Sequence, residues 1–196
     1  MADASATTLA TGAPLTAETW ADFVQRLIHD CRGDGVKRHY TASALHIVEC
    51  KVYVYGIDED YAYSDRIAII EDDRCWRSIA DFLADCDDDA KAVLDAAAVA
   101  HGYESFEAAY DWDQPNILKD CEGYRVTHWD ERWEFIGAHF TRDAAEAFIR
   151  RKAHDYRDGL RVYVKAQPYA WEFETIKNAI MDGRLVFKDD QEGGAA

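Results

Sequence analysis

Cations, prolines and paired cysteines are what this chain is short of. Its 196 residues hold 22 Lys+Arg against 38 Asp+Glu, a formal net charge of −16. That surplus repels nucleic acid and anionic membrane, so direct nucleic-acid binding is not expected and a basic partner is. The five cysteines, Cys31, Cys50, Cys75, Cys86 and Cys121, are odd in number and contain no CxxC pair. This fits neither a disulfide framework nor a zinc ribbon, and five free thiols in a reducing cytoplasm are expected. No apolar run approaches the roughly 20 residues that span a bilayer. The opening MADASATTLATGAPL has neither a basic nor an apolar signal region, so export and membrane insertion are not expected.

Chemical motifs are also missing. GxxxxGK[ST], GxGxxG and GxSxG do not occur, which removes the usual signs of nucleoside triphosphate, dinucleotide and hydrolase chemistry. Seven histidines (His29, His39, His46, His101, His128, His139, His154) show no HExxH or His-x-His spacing. Asp58, Glu59, Asp60 and Asp65 invite a calcium reading, but the glycine and glutamate that an EF-hand loop needs at its sixth and twelfth positions are absent. No cofactor, metal site or catalytic residue is assigned.

What is present is a folded, acidic protein. Hydrophobic residues make up 48% of the chain and aromatics 13%, enough for a real core and too much for an acidic disordered tail. The acid is uneven: residues 1–115 hold 23 Asp+Glu against 9 Lys+Arg, whereas residues 116–196 hold 15 against 13. Residues 1–14 lack periodicity and read as a flexible tail. Thr16 is a suitable N-cap for an amphipathic helix carrying Trp20, Phe23, Val24, Leu27 and Ile28, stopped by Gly33. Leu45 to Tyr55 reads as a central strand and Ile67 to Ile70 as a second, the two forming a long-looped hairpin. A run from Trp76 to Leu83 and an Ala-rich run ending near Gly102 read as two helices meeting at an acidic knot, Asp85 to Asp89.

Pro115 marks the expected domain boundary. Beyond it, Tyr124 to Thr127 and Trp133 to Phe140 read as two strands joined by a turn at HWDER. A helix capped by Thr141, the strand LRVYVKA, parallel to the strand before it, and a final helix ending at Gly183 follow. The expected fold is α+β, with an acidic region at 15–113 packed on a small β-β-α-β-α module at 114–188 and a flexible tail at 189–196.

One catalytic pattern deserves weighing. Asp34 lies fifteen residues before Glu49 in Glu49-Cys50-Lys51, an arrangement resembling the acidic residue and Glu-x-Lys with which restriction-type nucleases hold a divalent metal. The simpler reading makes Glu49 and Lys51 the polar face of a strand, and a strongly acidic nuclease would repel its own substrate. A metal-dependent nuclease is therefore the alternative reading, and a phage structural or assembly component a third.

The acid carries the main expectation. Asp81, Asp85 and Asp88 recur at i, i+4 and i+7, one face of a continuous helix, while Asp58 and Asp60 alternate as on one side of a strand. Residue by residue the ordinary reading is stronger, with Asp87 or Asp88 capping a helix and Asp89 in its first turn. Taken together, the surplus exceeds the net charge of about 2 to 8 that solubility asks for. The expected partner-binding surface is Asp58, Glu59, Asp60, Asp65, Asp72, Asp73, Asp81, Asp85, Asp87, Asp88 and Asp89, with Tyr61, Tyr63 and Trp112 as aromatic anchors among them; Tyr110 and Trp76 are further candidates, and for Trp76 core packing is the stronger reading.

The block HYTASALHIVECKVYVYGIDEDYAY, through Val54 to Asp58, and the later RWEFIGAHFTRDAAEAFIRRKAHDYRDGLRVYVKAQPYAWEFETIKNAI resemble uncharacterised proteins encoded by bacteriophages and prophages of proteobacteria. Trp133-Glu134-Phe135, Phe140-Thr141, His154 and Arg161-Val162-Tyr163 carry the second part. The resemblance implies a phage setting in a bacterial host cytoplasm and no catalytic residues, and it leaves out Asp72 to Asp113. By analogy with acidic anti-CRISPR inhibitors, the expected function is a non-enzymatic accessory protein that binds and inhibits a basic, nucleic-acid-handling host complex by DNA mimicry. A homodimer fits as well as a monomer.

Overall fold

Hydrophobic runs and turn residues set most elements where the sequence places them. A computed structural model describes residues 7–63 and 65–188; the first six residues, the segment 189–196 and the Glu59 side chain lie outside the described residues. Six α-helices and five strands appear among the described residues: α1 (Ala17–Arg32), β1 (Ala44–Ile57), β2 (Ile67–Glu71), β3 (Arg74–Trp76), α2 (Ile79–Asp85), α3 (Asp88–Ala100), α4 (Gln114–Lys119), β4 (Arg125–His139), α5 (Arg142–Lys152), β5 (Leu160–Ala166) and α6 (Trp171–Met181). The class is α+β, as expected, and the strands hydrogen-bond in the order β3-β2-β4-β1-β5.

The chain forms two compact units. The first comprises residues 1–51 and 133–196, the second residues 52–132. The expected boundary at Pro115 falls inside the second unit, where the proline sits in the first turn of α4, a position that needs no backbone N–H.

In the first unit, Thr16 and Thr19 cap α1 reciprocally, Thr19 N–H donating to Thr16 Oγ1 at 3.2 Å and Thr16 N–H to Thr19 Oγ1 at 2.8 Å. The apolar stripe of α1 then meets α6 and the sheet: Leu27, Cys31, Ala44, Ile180 and Met181 form a buried cluster flanked by Trp20, Phe23, Val24 and Val164. Each fully buried Leu or Ile in such a cluster contributes roughly 1.5–3 kcal/mol. Gly35 lets the turn after α1 close, since a Cβ there would meet His29 O and Asp30 Cα at 2.8 Å. Residues 9–11, expected in a flexible tail, form a 3-10 turn against α5.

The second unit buries Ile69, Phe82, Leu94, Phe106, Ile117 and Leu118. Trp76, Phe82 and Tyr124 pack edge to face in series, with centroids 5.2 and 5.1 Å apart. β2 turns into β3 through Asp72, whose φ of +50° lies in the left-handed region that Asp tolerates.

Two expectations about the strands are corrected. HWDER is no turn: β4 runs unbroken for 15 residues because its polar side chains have partners within the fold, Trp129 Nε1 donating to Ile67 O and Arg77 O at 3.2 and 3.1 Å and Asp130 pairing with Arg66. The β-β-α-β-α module therefore has one long strand where two were expected. β1 and β2 do not form a hairpin, since β4 pairs antiparallel with β2 and lies between them in the strand order. β5 pairs antiparallel with β1, which lies between it and β4, so in this antiparallel sheet β4 and β5 run in the same direction, as the crossover reading expects.

Candidate functional site

The charge asymmetry sharpens once the units are known. Residues 52–132 hold 21 acidic against 7 basic residues, a net −14, while the remaining residues hold 17 against 15, a net −2. The surplus that the sequence spreads over 115 residues belongs to a unit of 81. A negative field confined to so small a body is correspondingly steeper.

Its acid gathers in two places. At the first, the turn between β2 and β3 meets the junction of α2 and α3. Ser78 caps α2 by accepting Asp81 N–H at 3.0 Å, and α2 ends at Asp85. Cys86 is extended, and Asp87 restarts the chain by accepting Ala90 N–H at 2.8 Å as the N-cap of α3. Asp81, Asp85 and Asp88 thus sit on two helices and do not form the expected single face. Asp88 and Asp89 occupy the first turn of α3, where the helix dipole favours them.

Arg74 is the local counter-charge, 3.9 Å from both Glu71 and Asp85, and Asp85 also accepts Trp76 Nε1 at 3.1 Å. Glu71, Arg74, Asp85, Asp87 and Tyr124 share the wall of a small cavity of about 80 Å3. Burial raises the Tyr124 hydroxyl above the ordinary tyrosine value, and Glu71, Cys86, Cys121 and Asp87 push it the same way. The Cys86 thiol is raised by burial and then by Asp87, Glu71 and Asp85, against the opposing pull of Lys91. These carboxylates act on their neighbours as a single negative cluster.

The second place is the loop after β1. Asp58 accepts Asp60 N–H at 3.0 Å, folding residues 59–61 into a 3-10 turn, so Asp58 and Asp60 do not alternate along a strand. Tyr61 is 85% exposed and Tyr63 64%, the latter ring lying 4.6 Å from the Arg66 guanidinium. Ala62 from this loop, Ile67 and Val126 from the sheet, and Asp111, Trp112 and Lys119 from around α4 enclose a cavity of about 210 Å3. Trp112 is 69% exposed and stacks on Tyr110 at 4.5 Å with 14° between planes. The Tyr61–Tyr63 loop and Trp112, fifty residues apart in sequence, therefore share one cavity rim. Tyr103, packed edge-on to Tyr110, donates to Asp113, and that hydrogen bond pushes its hydroxyl up to about 12.

The acids thus divide by use. Asp58, Asp85 and Asp87 hold turns, caps and ring nitrogens, and so do Asp95, which accepts Phe106 N–H at 2.8 Å, and Asp120, 2.9 Å from His101. Asp60, Asp65, Asp72, Asp73, Asp81, Asp88 and Asp89 are exposed and make no ion pair among the described residues. Sequence reading missed Glu71, Asp111 and Asp113, whose signal was only their proximity to aromatics. Trp76 belongs to the core of this unit and is no surface anchor.

The nuclease residues fall in the first unit and are otherwise engaged. Both Nε and Nη2 of Arg161 lie 2.8 Å from Glu49 Oε2, Asp34 pairs with Lys37 at 2.7 Å, and Lys51 Nζ lies 5.4 Å from the Trp133 ring centroid. Among the described residues no three His, Cys, Asp or Glu side chains gather as metal ligands. Nor does any helix among them reach the length and apolarity needed to cross a membrane.

One buried polar cluster knits the first unit together. Asp30 on α1 accepts Arg142 N–H at 2.8 Å at the start of α5 and lies 4.0 Å from His46 Nε2. His46 is fully buried and packs edge-on against His39. Burial lowers the His46 pKa, with His39 and Arg142 pushing the same way and Asp30 and the Phe140 carbonyl opposing.

No protein-family model, curated protein or solved structure matches the chain.

Proposed function

We propose that the chain is a non-enzymatic phage accessory protein of the host cytoplasm, whose second unit binds and inhibits a basic, nucleic-acid-handling host complex in an anti-CRISPR-like role. The observation that carries this reading is the net −14 of residues 52–132, in which exposed Asp60, Asp65, Asp72, Asp73, Asp81, Asp88 and Asp89 make no ion pair among the described residues, beside exposed Tyr61, Tyr63 and Trp112. Carboxylates fixed on a folded unit resemble a row of phosphates, and a groove lined with Lys and Arg attracts either. Charge steers and orients such a complex, while desolvated aromatic rings supply the anchors that screened charge lacks. The phage setting rests on the sequence resemblance.

The test is retention of host proteins by the immobilised chain at low and high salt, with mass spectrometry of what is held and elution by duplex DNA or RNA. The reading expects a Lys- and Arg-rich nucleic-acid-binding protein that salt and nucleic acid both release. Retention of acidic or apolar proteins only, unmoved by salt, would contradict it.

A further inference from the structure

The first unit presents a sheet face on which aromatic rings and cations lie together. β1 pairs with β5 so that Leu45, Ile47 and Glu49 stand opposite Lys165, Tyr163 and Arg161, all on one face of the sheet. The other face, Ala44, His46, Val48 and Cys50, is fully or nearly buried, and Ala44 and Val164 pack there with α1 and α6. On the first face, the Arg161 guanidinium lies 4.1 Å from the Trp133 ring centroid and 5.7 Å from that of Tyr163, and Lys51 approaches the same Trp133 ring. Phe135, two residues beyond Trp133 on β4, is 63% exposed, and Tyr163 is 49% exposed.

We propose that this face is a stacking platform for single-stranded nucleic acid. Trp133 is covered by cations and holds Arg161 in place, leaving Phe135 and the half-exposed Tyr163, which Arg161 also borders, as the rings that face solvent. Their strands flank β1, about 10 Å apart, so the two rings take separate bases of an extended strand. Arg161 and Lys165 share this face with the rings, where the phosphates of such a strand run, and Glu49 is paired to Arg161. An acidic peptide would neutralise these cations and leave the rings in water; a nucleic acid uses both. The acidity that argues against nucleic acid for the whole chain belongs to residues 52–132, whereas the first unit is close to neutral. The inference rests on the first unit alone and is independent of the function proposed for the second.

The test is fluorescence anisotropy of labelled oligothymidylate and oligouridylate of about 15 nucleotides, titrated with the full chain. Both should bind, more tightly than a duplex, with affinity falling as salt rises from about 0.05 to 0.2 M. Phe135→Ala and Tyr163→Ala should each weaken binding roughly 5- to 100-fold, Phe135→Trp should retain it, and Trp112→Ala should leave it unchanged. Because Phe135 and Tyr163 are exposed, circular dichroism and thermal midpoints of these variants should match the native protein. No binding at low salt, or binding that survives both alanine variants, overturns the proposal. So does displacement by polyglutamate as readily as by oligonucleotide, which marks a site that reads charge alone. Ring-dependent self-association in the centrifuge without oligonucleotide binding also overturns it, assigning the face to a second copy of the chain.

Discussion

Asp87 offers a way to separate an acid that builds the fold from one that charges its surface. Its carboxylate accepts Ala90 N–H at 2.8 Å and starts the 13-residue α3. Replacing it with Ala removes an N-cap, a loss of about 1 kcal/mol. Asn caps as well as Asp, so Asp87→Asn removes the charge alone. That loses roughly 0.3–1 kcal/mol of interaction with the helix dipole, but it relieves repulsion from Glu71 and Asp85, which share the cavity wall with Asp87. The two effects nearly cancel, leaving Asp87→Asn within about 0.5 kcal/mol of native and Asp87→Ala about 1 kcal/mol below it. For a chain of this length the gap is about 2–4 °C in Tm, readable by circular dichroism or calorimetry at low and high salt. Asp73→Asn, on an exposed turn residue, should change stability by less than about 0.5 kcal/mol. If Asp87→Asn is as damaging as Asp87→Ala, the carboxylate acts through its charge and the division between structural and surface acids fails.

Other outcomes follow from the first unit and the thiols. Lys177 is fully buried, donates to Ala42 O at 3.1 Å and pairs with Glu174 at 2.5 Å, so Glu174→Ala, which strands its charge, should cost about 3 kcal/mol in denaturant unfolding; a cost below about 1 kcal/mol would mean the ammonium finds water. His46 and His139 are both held below the ordinary histidine pKa, chiefly by burial, so the unfolded chain takes up protons first as pH falls. Their stabilising contribution is complete above about pH 6.5 and is lost as pH drops from there through the folded-state values; urea midpoints should fall between about pH 7.5 and 5.5, and an unchanged slope in His46→Gln would assign the effect elsewhere. Thiol titration should label exposed Cys75 first, reach Cys31, Cys50 and Cys121 only on unfolding, and total five; two missing thiols would reveal a disulfide.

Local signals in the sequence locate elements well where one residue does one job. Thr16 and Gly33 bracket α1, and Asp87 opens α3, because a capping hydroxyl or carboxylate acts within three residues of itself. HWDER misled because its polar residues satisfy long-range partners, Arg66, Ile67 and Arg77, that no local pattern displays. Strand order was invisible for the same reason: β4 separates β1 from β2 only through pairing some sixty residues distant in sequence. The acidic surface was partly legible. Composition revealed the surplus and its aromatic neighbours, but the boundary at residue 115 blurred it, because residues 1–51 are nearly balanced, with six acids and five bases. Only the fold shows that the second unit spans 52–132 and that Trp112 shares a cavity with the loop after β1.

The central claim is that exposed acid in the second unit is a phosphate-like binding surface. Its most direct test is the association rate and affinity, across a salt series, for the purified host protein retained by the chain. The native chain is compared with a variant in which Asp72, Asp73 and Asp88 are changed to Lys and with a control carrying Lys at Asp189, Asp190 and Glu192. The account predicts a steep loss with salt as screening shortens to about 10 Å at 0.1 M, a large fall in rate and affinity for the first variant, and little change for the second. Binding that ignores salt and survives reversal at Asp72, Asp73 and Asp88 would contradict it.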